Sequence, residues 1–232
     1  MCHKRNTIAM DVNEIGAVVP AYNAGTTIQG VIDALCGVGF SKDHIVVVDD
    51  GSRDSTAEVL RSSGVQSVFH THNRGKGAAL KTGFKYMIGL SLQGVITLDA
   101  DGQHSIQDIP MLLEQRSGYD MVIGTRSDVT GMPLLRMLVN RVTSLVISVL
   151  SQARIPDVQC GLRYISMTVL KCIRLDTNRY QTESELVYKA LRKNFHIGFV
   201  KVATRYNAER SYIHPLIDTV RFIVMAVRFL WR

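Results

Sequence analysis

Two carboxylates spaced i, i+2, Asp99 and Asp101, close the apolar run Ile96-Thr97-Leu98 and are followed by Gly102, Gln103 and His104. If a strand delivers them, both point the same way. Oxygen donors at this spacing suit a hard divalent cation, Mg2+ or Mn2+, and Mg2+ binds through one or two carboxylates together with substrate phosphates rather than in an all-protein cage. The pattern therefore points to a phosphate-bearing substrate. Asp and Gly are also ordinary turn residues, so the reading depends on the company these residues keep. Of the seven histidines, His104 alone stands beside this corner as a candidate ligand.

Three further segments carry chemistry. In Val18-Val19-Pro20-Ala21-Tyr22-Asn23-Ala24-Gly25, Pro20 is expected to stop a strand ladder and the turn can present Tyr22 as a flat face for a base or sugar. The run Val46-Val47-Val48 ends in Asp49-Asp50, of which one carboxylate could accept a hydrogen bond from a base N–H, while Asp54 or Ser55 would cap the next helix. Asn73-Arg74-Gly75-Lys76-Gly77 is a small-residue loop opening a helix, suited to close backbone approach and to an anion at the helix N-terminus. Its spacing fits neither a P-loop nor a G-x-G-x-x-G fingerprint, which weighs against an ATPase or a dinucleotide enzyme.

The elements that must position these residues alternate. Short β-branched runs at Ile15–Val19, Ile45–Val48, Val65–Phe69, Val95–Leu98 and Met121–Ile123 are separated by helical patterns at Thr26–Leu35, Ser55–Arg61, Lys76–Ile88 and Ile106–Gln115. This is the signature of βαβ units and a mostly parallel sheet. Ligands of such sheets bind at the carboxyl ends of the strands, where each of the segments above falls. After Arg126 the texture changes to two amphipathic stretches, Met132 to Leu150 and His214 to Arg232, neither reaching the ~20 uninterrupted apolar residues of a membrane span. They could pack on the core or lie in a membrane interface, with Phe229, Trp231 and the arginines at headgroup level.

At 232 residues and 46% hydrophobic content the chain can bury a substantial core. It reads as one domain over 12–212 with an amphipathic C-terminal helix over 213–232. Cys2, Cys36, Cys160 and Cys172 lack C-x-x-C spacing, so neither a zinc site nor a disulfide framework is expected and a reducing, cytoplasmic setting fits. Ten basic against thirteen acidic residues stand before position 126, and seventeen against seven from there on, so the net +7 is concentrated in the second half. A basic half can serve nucleic acid, an anionic membrane or phosphorylated substrates. The acidic first half and the lack of aromatic-interleaved basic runs argue against nucleic acid and against a non-catalytic polyanion-binding module.

Taken together, PAYNAG, VVVDDGSRDST, NRGKGAALKTG, LDADGQH and IGTR resemble the family two glycosyltransferases, over about residues 14–220. The segments Asp157 to Tyr164, Gln181 to Leu186 and Tyr206 to Arg221 resemble the branch that moves mannose or glucose from a GDP- or UDP-sugar to dolichyl or polyprenyl phosphate. The resemblance implies the A-type glycosyltransferase fold, an α/β architecture with a mostly parallel central sheet flanked by helices. It implies a metal-dependent inverting hexosyltransferase, peripheral on the cytoplasmic, inner face of the membrane, with an integral membrane partner as one means of attachment. It assigns Pro20, Ala21, Tyr22, Val48, Asp50 and Lys76 to the nucleotide sugar, Asp99, Ala100 and Asp101 to the diphosphate and metal, and Gln103 to the metal as an added ligand. Arg126 falls near the donor or acceptor phosphate, and Arg205 and Arg210 to the late basic residues that close over the diphosphate. One departure is Ala24, where that branch commonly has a glutamate.

The acceptor decides what else is needed. A phosphomonoester has a second pKa of about 6 and is already anionic at neutrality, so it needs arginines rather than a base; Arg126, Arg136, Arg141 and Arg163 are the candidates. A soluble glycan or other hydroxyl acceptor would need a carboxylate base, for which Asp157 and Glu185 compete. Arg163 could also simply pair with Asp157 across a turn, and Glu183 and Glu185 could serve a helix dipole.

Overall fold

The computed structural model describes residues 12–126, 134–203 and 215–230. Its elements, in chain order, are β1 (Ile15–Ala21), α1 (Ile28–Val38), β2 (Ile45–Asp49), α2 (Thr56–Ser63), β3 (Gln66–Phe69), α3 (Lys76–Ile88), β4 (Gly94–Thr97), α4 (Ile109–Glu114), β5 (Met121–Arg126), α5 (Leu134–Ser151), β6 (Arg163–Ser166), α6 (Met167–Cys172), α7 (Gln181–Arg192), β7 (Ile197–Val202) and α8 (Pro215–Leu230). The strands form one seven-stranded sheet in the order β3-β2-β1-β4-β6-β5-β7. Every residue of β2 and β4 is buried, so both faces of these strands are covered. That is why the runs read as nearly unbroken Val and Ile instead of alternating.

The five strands expected from the sequence are present, and two more, β6 and β7, join them. β6 is antiparallel to both of its neighbours, whereas the remaining pairs are parallel. Its reversal has a consequence for the site. Arg163, the first residue of β6, pairs with Thr97 and Ile123 near the ends of β4 and β5, so the segment leading into β6 must lie over the carboxyl edge of the sheet.

The helical pattern expected over Ile106–Gln115 divides into a 3-10 turn at Ile106–Asp108 and a six-residue α4. Pro110 sits in the first turn of α4, where its missing N–H costs nothing, while a longer helix would place it in the interior. Helix α3 lies close on β1 because Gly83 faces it: a Cβ there would stand 2.4 Å from Val18 Cγ1.

The two amphipathic stretches form α5 and α8, which pack on each other and on α7. Tyr188 of α7 stacks on Phe229 of α8 at 4.0 Å and donates its hydroxyl hydrogen to the Phe229 carbonyl at 3.2 Å. The opposite faces stay open. Leu138, Val142, Leu145 and Val149 on α5, and Val220, Ile223, Val224 and Val227 on α8, follow helical spacing and are all exposed. Among the described residues no helix is long and apolar enough to cross a membrane.

Candidate active site

The first wall of the site is two turns laced together at the carboxyl ends of β1 and β2. Asn23 Oδ1 accepts from Arg53 N (2.9 Å), Ser52 Oγ accepts from Asn23 N (2.8 Å), and Thr56 Oγ1 accepts from Ala24 N (2.8 Å). Asp54 accepts from Gly25 N and from Thr56 N and Oγ1, so it ties the first turn of α2 to the turn before α1. Burial opposes its charge, but these hydrogen bonds, that from Thr56 Oγ1 foremost, outweigh it and hold its carboxyl below the ordinary range. Beside the laced turns a cleft of about 300 Å3 is lined by Tyr22, Asp49, Arg53, His70 and Asn73 among others. Pro20 does not stop the ladder as expected: β1 runs on to Ala21, and Pro20 and Ala21 pair with Val48 and Asp49 in the strand register. Ala21 and Val48 are fully buried.

The adjacent carboxylates Asp49 and Asp50 part company. Asp50 is buried and saturated: Oδ1 receives His70 Nδ1 (2.7 Å) and Arg74 N (3.0 Å), and Oδ2 receives Gly75 N (2.7 Å). It builds the loop that opens α3. Asp49 accepts Ser52 N at 2.9 Å and lines the cleft. The sequence could not separate the two, because which one faces inward depends on the loop that Asp50 anchors.

The acidic corner lies just past β4, which ends at Thr97, so Asp99 and Asp101 leave the chain from a turn rather than from the strand. Thr27 Oγ1 donates to Ala100 O at 2.7 Å, Asp101 Oδ1 accepts from Gln103 N at 3.0 Å, and Gly102 takes φ +68, where a side chain would be strained. Gln103 is buried. Lys76 Nζ stands 2.6 Å from Asp99 Oδ1 and 3.2 Å from Glu183 Oε1, and His104 Nε2 is 3.7 Å from Asp99 Oδ2. His104 Nδ1 is buried and has no hydrogen-bond partner.

Burial works against the charge of Asp99, yet the Lys76 ammonium and His104 outweigh it and hold this carboxyl far below its usual range. Asp101 moves upward, through burial and then through the negative charge of Asp99. Lys76 is likewise opposed by burial but held above its ordinary value by Asp99 and Glu183. The two carboxylates thus share one electrostatic site with Lys76 and His104. Among the described residues no three His, Cys, Asp or Glu side chains could hold a metal by themselves. Two carboxylates with a neighbouring amide fit a cation whose remaining ligands are diphosphate oxygens.

The basic and acidic residues assigned to acceptor chemistry are placed as follows. Asp157 pairs with Arg126, not Arg163, in a fork with Nε–Oδ2 2.7 Å and Nη2–Oδ1 2.8 Å. Burial raises the Asp157 pKa, but the Arg126 hydrogen bonds and charge prevail and lower it. Arg163 is 1% exposed and donates to three backbone carbonyls, Cys160 (2.7 Å), Val158 (2.7 Å) and Glu183 (3.1 Å). Glu185 accepts from Asp176 N (2.8 Å), Thr177 N (2.9 Å), Thr177 Oγ1 (2.6 Å) and Lys189 Nζ (2.5 Å). It serves the loop before α7. Glu183, read from the sequence as a helix-dipole residue, does stand in the first turn of α7 and is also the carboxylate that reaches Lys76. Arg141 is exposed on α5, the Arg136 side chain lies outside the described set, and so do Arg205, Arg210 and Trp231.

Known proteins resemble this chain in sequence and in fold. The family model described as glycosyl transferase family 2 matches residues 17–174. An uncharacterised protein of Methanocaldococcus jannaschii is 35% identical over 216 residues, 88% of this chain and 87% of its own. The UDP-N-acetylglucosamine–dolichyl-phosphate N-acetylglucosaminyltransferase of Methanococcus voltae is 30% identical over 214 residues, 82% of this chain and 84% of its own. Glucosyl-3-phosphoglycerate synthase of Mycobacterium tuberculosis, solved with Mn2+, UDP and glucosyl-3-phosphoglycerate, superposes with TM-score 0.68 at 19% identity, covering 94% of this chain and 78% of that one. This last likeness concerns the fold, which is the A-type glycosyltransferase fold. With its strand-end motifs, its acidic corner and these relatives, the chain belongs to glycosyl transferase family 2 and is a glycosyltransferase.

Proposed function

We propose that this enzyme moves a hexose from a UDP- or GDP-linked sugar to a polyprenyl-phosphate-type lipid, with inversion, at the cytoplasmic surface of a membrane. The observation that carries the reading is the Asp99–Asp101 corner braced by Lys76 beside the Tyr22–Asp49 cleft. The cleft would take the nucleotide base and ribose. Asp99 and Asp101, with Gln103, would hold Mg2+ or Mn2+, which when bound neutralises charge on the departing nucleoside diphosphate. Lys76, paired with Asp99 at 2.6 Å, would add positive charge beside the diphosphate.

A phosphate acceptor is favoured over a hydroxyl one by the state of the two candidate bases. Asp157 is held ionised by a bidentate arginine, and Glu185 has four donors around its carboxylate. A base must be able to take up a proton near the working pH, and both groups are lowered instead. An anionic phosphate acceptor requires no such step. Asp157 would then fix the plane of the Arg126 guanidinium for a phosphate, a task for which a planar fork is suited.

Attachment to the membrane would come from the open faces of α5 and α8. They present eight exposed aliphatic side chains together with exposed Arg141 and Arg228. Helix α5 contains no acidic residue, and the single one of α8, Asp218, is paired with Arg221 at 3.0 Å. An apolar face edged by arginines suits an anionic lipid surface.

The test is transfer of radiolabelled sugar from UDP-glucose, UDP-N-acetylglucosamine and GDP-mannose to undecaprenyl or dolichyl phosphate in vesicles with Mn2+. Lipid-extractable label from one donor is expected, falling about 100-fold or more in Asp101→Asn, the scale of lost charge stabilisation in a transition state. Undiminished transfer by Asp101→Asn would refute the metal assignment. Label confined to soluble glycans would refute the lipid acceptor.

A further inference from the structure

The Asp99 carboxylate rests on a residue that has no side chain. A Cβ built on Gly161 would stand 2.4 Å from Asp99 Oδ2, 2.8 Å from Cγ and 2.9 Å from Oδ1, so all three carboxylate atoms occupy the space a side chain would need. Gly161 is absent from the glycines with positive φ, so backbone conformation does not demand glycine at this position. Space does.

The turn that brings Gly161 there is fastened on both sides. Gly161 O accepts from Thr97 Oγ1 at 2.8 Å, which binds the turn to the end of β4 two residues before Asp99. Buried Arg163 clasps it from beneath, with Nε on Cys160 O and Nη2 on Val158 O, both at 2.7 Å. The third donor of Arg163 goes to Glu183 O, and its Nη2 lies 3.5 Å from Glu183 Oε1. Glu183 in turn reaches Lys76, and Lys76 reaches Asp99. The result is a closed circuit: Asp99, Gly161, Arg163, Glu183, Lys76 and back to Asp99. Lys76 pulls the carboxylate from one side while Gly161 sets how deep it can lie on the other.

We infer that Gly161 is a positioning residue that sets where the Asp99 carboxylate stands, with Arg163 holding the turn, and that their function is to align the metal and diphosphate site. The inference rests on the proposed reading of Asp99 as a carboxylate of that site. It also explains why Arg163, the bulkiest of the fully buried side chains, spends its donors on backbone rather than on an acceptor.

The obstructed group is the tip of a short side chain, so Gly161→Ala can relieve the contact by turning Asp99 away. The variant should therefore fold with a thermal midpoint close to that of the parent, yet have a displaced carboxylate. Mn2+ is titrated into the full-length protein with UDP and, separately, GDP, and the free aquo ion is followed by its paramagnetic resonance signal. Binding of Mn2+ with the nucleotide should weaken at least about ten-fold in Gly161→Ala, while nucleotide binding without metal is unchanged. In an Asp99→Ala background the same change should cause no further loss, because the two residues act as one unit. Parent-like Mn2+ affinity in Gly161→Ala, or losses that add in the double variant, would overturn the inference. If Gly161→Ala alone fails to fold, Asp99→Ala/Gly161→Ala should fold, since the clash is gone; a double variant that also fails overturns it. Should Asp99→Ala itself bind Mn2+ and nucleotide as the parent does, the underlying site reading falls instead.

Discussion

At the scale of single residues, chemistry and scaffolding are shared unevenly among carboxylates that look alike in sequence. Asp50 is buried with both oxygens occupied by two backbone N–H groups and His70. Replacing it by Asn removes one acceptor oxygen and leaves a buried donor unmatched. The expected cost is about 1–3 kcal/mol of folding stability, read from urea unfolding. Asp157 tests the electrostatics of its fork with Arg126. Its folded pKa lies below the ordinary 3.8, so its stabilisation is present above that value and lost as pH falls through the folded pKa. The thermal midpoint of Asp157→Asn should therefore trail the parent most at pH values above 3.8 and converge on it as pH falls below 3.8 through the lowered folded pKa. A gap independent of pH would mean that the fork contributes through shape alone. Such roles were only partly legible beforehand: i, i+2 spacing marked Asp99 and Asp101, but nothing local distinguishes Asp49 from Asp50, or Glu183 from Glu185.

At the scale of elements, the site depends on helices lying unusually close to their neighbours. A Cβ at Gly77 of α3 would stand 1.9 Å from Thr182 Oγ1 and 2.7 Å from the Asn178 carbonyl carbon. An alanine there would gain about 1 kcal/mol in helix propensity. The backbone carbon cannot turn aside as a side chain can, so overpacking, at about 1–3 kcal/mol, should win. Gly77→Ala is expected to be less stable in urea and to weaken nucleotide–Mn2+ binding, since Lys76 precedes it. The parallel strands and α3 could be read from their runs and periodicity, because local patterning follows burial. β6 could not: it is four residues long, shows no alternation and opens on a buried arginine. Its place is set by pairing with β4 and β5, which are distant in sequence.

At the scale of the whole molecule, charge and apolar surface are sorted to different regions. The acidic corner sits at the carboxyl end of the central strand β4, whereas the exposed aliphatic residues cluster on α5 and α8. Leu145→Glu with Val224→Glu should weaken binding to anionic vesicles at least about ten-fold in a flotation assay, because each buried aliphatic side chain is worth about 1.5–3 kcal/mol. Metal–nucleotide binding in solution should be unaffected, and unchanged flotation would remove α5 and α8 as the attachment surface. Amphipathic periodicity announced these helices but left open whether protein or lipid covers them. The fold divides the answer, with one face of each packed through contacts such as Tyr188 on Phe229 and the other left open. The residues themselves sufficed to reveal the family, the strand-end placement of the motifs and the acidic corner, since each is written in contiguous residue types whose chemistry is local. Folding in three dimensions was needed to pair Arg126 with Asp157, to bring Glu183 to Lys76 and to slide Gly161 beneath Asp99. Those contacts join segments tens of residues apart, and only the reversed strand β6 brings the segment before it across the carboxyl edge where the chemistry gathers.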